Sequence, residues 1–193
     1  MNVKSINQKD MLVFFIVIAT ALIRVLNNAS PNFEALANYS PIAAMALFTA
    51  SNTRGLGRSL LLLMASMLAS DFLLYETVYK NYGSSFLYEG CYWVYGALVL
   101  MTITGKLIVK NNSLKSVTTA IAVTVFIHWI VTDVGVWIES TSYPKTAAGF
   151  SACLAAAIPF EWRLLTATVI YSSIMFGINS FFSHRFSLKD SIN

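Results

Sequence analysis

A chain of 193 residues that is 56% hydrophobic and only 11% charged falls far below the roughly 25% charged residues of an ordinary soluble domain, and a soluble fold of this size could not hide that much apolar surface. The net charge of +4 comes from thirteen Lys and Arg scattered singly, without the basic cluster and interleaved aromatics of a nucleic-acid-binding surface. Two cysteines, Cys91 and Cys153, allow at most one disulfide and exclude a disulfide framework, a zinc site and a CxxC redox pair.

The composition predicts an all-α membrane protein, one transmembrane domain covering residues 1–193. A helix needs about 20 mostly apolar residues to cross a ~30 Å hydrocarbon layer, where backbone polar groups must be satisfied internally. In chain order, spans are expected at 11–26, 36–52, 59–78, 91–109, 117–138 and 164–182. The first is a retained helix and not a signal peptide, since further apolar runs follow it without a convincing small-residue cleavage site. Pro41 falls inside the second, so the regular helix there is expected to begin near it and be short. Between the fifth and sixth, 147–160 is Ala-rich, closed by Pro159 and too short to cross, which predicts an additional interfacial or re-entrant helix.

Positive charge orients the bundle. With the N-terminus inside, Lys4, Lys9, Arg54, Arg58, Lys106, Lys110, Lys115, Arg185 and Lys189 lie on the cytoplasmic side, against Lys80, Lys145 and Arg163 outside. Nine against three predicts both termini in the cytoplasm. Glu34, Glu76, Glu89, Glu139 and Glu161 then fall on or near the outer face, as do all four tryptophans and every tyrosine except Tyr171. An ordinary aromatic belt decorates both interfaces, so this one-sided excess points to a binding surface that includes Tyr88, Tyr92, Trp93 and Trp137.

Ionisable residues within the spans are the second signal. Arg24, Asp71, His128 and Asp133 sit in or at the edge of apolar segments, where an isolated charge costs at least ~2.5–3.5 kcal/mol and must find a partner. Arg24 is placed to meet either Asp71 or Asp133. His128 and Asp133 are five residues apart, which is a poor spacing for one helical face. Ala46-xxx-Ala50 and Ala65-xxx-Ala69 allow close helix approach. Cys91, in Tyr88-Glu-Gly-Cys-Tyr-Trp93, stands among the outer aromatics, where a thiolate could ligate a soft metal; Cys153 fits a packing role. No nucleotide-binding loop, HExxH or nucleophile elbow occurs, so the chain is not expected to hydrolyse ATP or to need an intrinsic cofactor; the alternatives to transport are an assembly subunit and a membrane-embedded enzyme, in which Asp71, His128 and Asp133 would have to converge.

The runs Arg24-Val-Leu, Ser30-Pro-Asn-Phe33, Ser40-Pro-Ile-Ala-Ala-Met-Ala-Leu-Phe48, Ser70-Asp71, Trp93-Val-Tyr-Gly96, Asp133-Val-Gly-Val-Trp137, Tyr143-Pro-Lys-Thr146 and Ala156-Ala-Ile-Pro-Phe160 resemble a family of small bacterial six-helix proteins. That family is related to the substrate-binding S components of energy-coupling-factor (ECF) vitamin transporters. The resemblance implies residence in the bacterial inner membrane and uptake of a vitamin-like small molecule from the outer face, driven by a separate ATPase and coupling module. Size and plan are also similar to the solitary cobalamin transporters of the BtuM group, in which a cysteine near the third loop ligates the corrinoid cobalt. Cys91 is the residue at a comparable place, which makes cobalamin the leading substrate and implies incidental loss of its cyanide ligand.

Overall fold

Local chemistry starts five of the six helices of the computed structural model, which describes residues 8–29, 39–82, 85–110 and 112–192, the last ten without their side chains. Helix α1 spans Gln8–Ala29. Pro41 immediately precedes α2, Ile42–Asn52, as a fixed φ suits a helix start. Gly55 (φ 79°) and Gly90 (φ 77°) take left-handed backbone just before α3, Leu56–Thr77, and α4, Cys91–Ile108, a region closed to most side chains. Ser113 caps α5, Leu114–Glu139, by accepting from the Ser116 N–H at 3.3 Å. Thr146 does the same for α6, Ala147–Ile192, accepting from the Gly149 N–H at 3.1 Å.

Five of these helices are long and apolar enough to cross a membrane, which makes the chain a multi-pass membrane protein. Their outward residues are large and apolar, Leu61, Leu107, Leu114 and Trp162 among them, as expected of surfaces that meet lipid and not water. The sixth helix departs from expectation. At 11 residues, α2 rises only about 16 Å, too little to span, and positions 36–38 of the expected segment lie outside the described residues. Ile42 through Ala50 are all buried, and α2 touches every other helix. It is the hub of the bundle, with small residues where neighbours come closest: a Cβ on Gly105 would lie 3.0 Å from that of Ala50. Ala46 and Ala50 are thus internal packing, whereas Ala65 and Ala69 are exposed.

The second departure concerns Pro159. Residues 147–160 do not form a separate helix; they run without interruption into the last span as part of α6, which has 46 residues. Pro159 removes the donor to the Ala155 carbonyl. One residue earlier, the Leu154 carbonyl accepts from the Trp129 indole at 3.1 Å, tying this stretch to α5 and holding the helix through the proline.

The helices alternate in direction, so Lys9, Arg54, Arg58, Lys106, Lys110 and Lys115 gather at one end of the bundle and Tyr75, Tyr79, Tyr88, Tyr92, Trp93 and Trp137 at the other. We call these the basic end and the aromatic end. At the basic end, Lys106 Nζ donates to the carbonyls of Ala50 (2.9 Å) and Thr53 (2.7 Å), satisfying acceptors that the end of α2 leaves open. Asn52 Oδ1 accepts there from Asn112 and Asn179. Lys4 and Glu34, and the side chains of Arg185 and Lys189, lie outside the described residues.

Candidate functional site

The aromatic end is organised around a buried ion pair. Arg24 on α1 donates to Asp71 Oδ1 on α3 at 2.6 Å and to Ser70 Oγ at 2.6 Å. Tyr95 on α4 donates to the other Asp71 oxygen at 2.6 Å. Of the two partners open to Arg24, the fold selects Asp71, and every oxygen of that carboxylate is engaged. The two charges are 13% and 7% exposed, so in a low-dielectric interior their pairing is what makes their burial tolerable. Tyr95 is not among the expected site residues, although it belongs to the outer tyrosines and to the run Trp93-Val-Tyr-Gly96.

Above this pair opens a cavity of about 310 Å³ lined by Arg24, Asp71, Tyr75, Tyr79, Phe86 and Tyr88. Beside it lies a second, of about 510 Å³, lined by Tyr88, Gly90, Trp93, Val136, Glu139 and Thr141 among others. Tyr88 belongs to both walls. Its phenol is pushed up to about 12, first by burial and then by the charge of Asp71, so it stays protonated and able to donate across the physiological range. Both volumes fall within the ~300–1,000 Å³ of small-molecule sites.

Trp93 forms the floor of the larger cavity. Its indole donates to Glu139 Oε1 at 2.7 Å, and its ring lies on Gly135, where an added Cβ would fall 2.4 Å from ring atoms. Gly135→Ala is therefore expected to tilt Trp93 off Glu139 at a cost of about 1–3 kcal/mol. A lowered unfolding midpoint in detergent with a changed tryptophan emission would register it.

The other expected residues distribute unevenly. Trp137 donates to the Pro144 carbonyl at 2.9 Å, packs on Phe150 and lies under Lys145. Lys145 in turn donates to the carbonyls of Trp137 and Ser140, so these groups shape the loop between α5 and α6. Tyr92 is 79% exposed and lines neither cavity. Cys91 carries a free thiol that is 2% exposed, and it too is absent from both walls. Tyr171, the tyrosine that the charge orientation leaves out, accepts from Asn27 near the far end of α1 at 3.1 Å.

His128 and Asp133 belong to a separate cluster. His128 Nδ1 lies 2.8 Å from Glu161 Oε1, and Asp133 accepts from the Cys153 thiol at 3.7 Å. Asp71 is engaged by Arg24 and Tyr95, and among the described residues no hydrogen bond joins it to His128 or Asp133. Glu161, which the sequence places in an outer loop, is instead a buried residue of α6. Among the described residues no group of three or more His, Cys, Asp or Glu could hold a metal ion.

An all-helical bundle with five membrane-crossing helices and a cleft at one end defines a multi-pass membrane protein with a candidate small-molecule site. Residues 4–189 match the model of a family described as a family of unknown function, DUF6580, and the chain belongs to that family. No curated protein and no solved structure matches the chain.

Proposed function

We propose that this protein takes up a vitamin-like small molecule across the bacterial cytoplasmic membrane, receiving it at the aromatic end, with both termini on the cytoplasmic side. One observation carries the reading: two cavities meet at Tyr88, and one of them is floored by the buried Arg24–Asp71 pair. Aromatic faces bury a flat ligand at small entropic cost, and protonated tyrosine hydroxyls supply orientation. The gathering of Lys and Arg at the opposite end supports the orientation. A chain without a nucleotide-binding loop takes its energy from elsewhere, and a separate ECF-type ATPase and coupling module is the partner that the resemblance to S components implies.

Cobalamin is the leading ligand, with the Cys91 thiolate on cobalt. Cys91 directly follows Gly90, which lines the larger cavity, and its N–H donates to the Tyr88 carbonyl at 3.1 Å. Because the thiol is buried, ligation includes an opening of the Tyr88–Gly90 turn, and a corrinoid, larger than either cavity alone, would occupy both once Tyr88 moves. Titration of the purified protein with cobalamin tests the parts separately. Cys91→Ser is expected to abolish the change in corrinoid absorbance, and Tyr88→Ala to weaken binding at least tenfold, about 1.4 kcal/mol. Unchanged absorbance and affinity in Cys91→Ser would remove cobalt ligation; unchanged affinity in Tyr88→Ala would remove the cavities.

A further inference from the structure

Midway along α5, His128 faces α6 and meets Glu161 Oε1 at 2.8 Å. The other oxygen of that carboxylate, Oε2, is fully buried and has no hydrogen-bond partner, in a residue only 9% exposed. Asp133, 6% exposed, senses the charges of both Glu161 and His128, and only the weak Cys153 S–H donates to its carboxylate. The imidazole contacts one of the two carboxylates and acts on the other through its charge alone. Among the described residues no other cation compensates them. Arg163, two residues past Glu161, places its guanidinium over the Phe160 ring, and Lys145, whose charge reaches Cys153, is held by the carbonyls of Trp137 and Ser140. From α4, Tyr95 is committed to Asp71 and Lys106 to the end of α2, while Tyr92 is exposed and Cys91 carries no charge to offer as a thiol. Helix α2 contains no titratable residue.

Even with His128 protonated, the fully ionised cluster keeps one net negative charge and one buried carboxylate oxygen that nothing solvates. A medium of low dielectric penalises both. Uptake of one proton cancels the charge and leaves a neutral group. We propose that His128, Asp133 and Glu161 form a proton-binding site inside the bundle, with a proton held on one of its two carboxyls. The proton belongs to the cluster and not to one atom. The spacing of five residues between His128 and Asp133 is no obstacle, because Glu161 enters from the neighbouring helix and couples to both. This site does not depend on which small molecule the aromatic end receives.

Infrared difference spectroscopy of the full chain in detergent, taken between neutral and alkaline pH, tests it. The wild type is expected to show the carbonyl-stretch band of one protonated carboxylic acid per chain, lost on alkalinisation. Glu161→Gln or Asp133→Asn is expected to diminish or shift that band, and the double variant to lack it, with helical circular dichroism and monodispersity confirming that the variants fold. Absence of a titrating band in the wild type overturns the proposal without recourse to any variant; persistence of the band in the folded double variant overturns it as well.

Discussion

Asp71→Ala is expected to destabilise the bundle by about 3–5 kcal/mol, the cost of leaving a buried charge without its partner. The removal strands Arg24 at 13% exposure beside a serine, and it also frees the Tyr95 hydroxyl, whose acceptor is the second Asp71 oxygen. Two helices would lose their tie to α3 together. The paired replacement Arg24→Leu/Asp71→Leu removes both charges at once and is expected to recover most of that loss, since an apolar pair of similar volume is often as stable as the ions it replaces. Unfolding midpoints of the three proteins in detergent decide between a structural charge pair and two independent residues. Equal losses for the single and double variants would show that the pairing itself contributes nothing. The same double variant separates stability from binding: the folded bundle should persist while the smaller cavity loses its polar floor and its ligand.

The second large effect is expected at Gly149, in the first turn of α6. A Cβ there would lie 2.0 Å from the Pro144 carbonyl oxygen and 2.9 Å from its carbon, and neither atom is the free end of a flexible side chain. That carbonyl accepts from the Thr146 N–H at 2.8 Å and from the Trp137 indole at 2.9 Å. Gly149→Ala must push the 140–146 loop outward, breaking the Trp137 contact and disturbing the Thr146 cap. Overpacking of about 1–3 kcal/mol and a cap of about 1 kcal/mol set the scale. Limited proteolysis should find the loop newly cleavable in the variant; a protected loop and an unmoved midpoint would contradict the close packing.

Much of this architecture was legible before any coordinates. Hydropathy and the need to satisfy every backbone group in lipid locate α1, α3, α4 and α5 within a few residues, though not the ends of α6, and the scarcity of charge makes each buried ion conspicuous. The partner of Arg24 could be narrowed to Asp71 or Asp133, since all three lie late in helices running toward the same end, but only the packing selects Asp71. Pro41 reads correctly as a helix start, and α2 begins directly after it. Pro159 misleads: a breaker in local terms, it is carried inside a helix that Trp129 braces through the Leu154 carbonyl. Reading Pro159 as an end placed Glu161 in a loop and hid its pairing with His128. The same local view made five residues between His128 and Asp133 look unproductive, since a third group arriving from another helix leaves no trace in the periodicity of one. Cys91 illustrates the converse: its sequence neighbours line the cavities, but its own side chain starts α4 facing inward.

Receipt of a small molecule at the aromatic end, cobalamin first among the candidates, is what we propose. Visible spectroscopy of the protein purified after growth with cobalamin, followed by direct titration, puts this to the test. A corrinoid chromophore is expected to stay with the folded protein at a stoichiometry of one per chain; a colourless protein that also fails to bind added cobalamin would overturn the proposal.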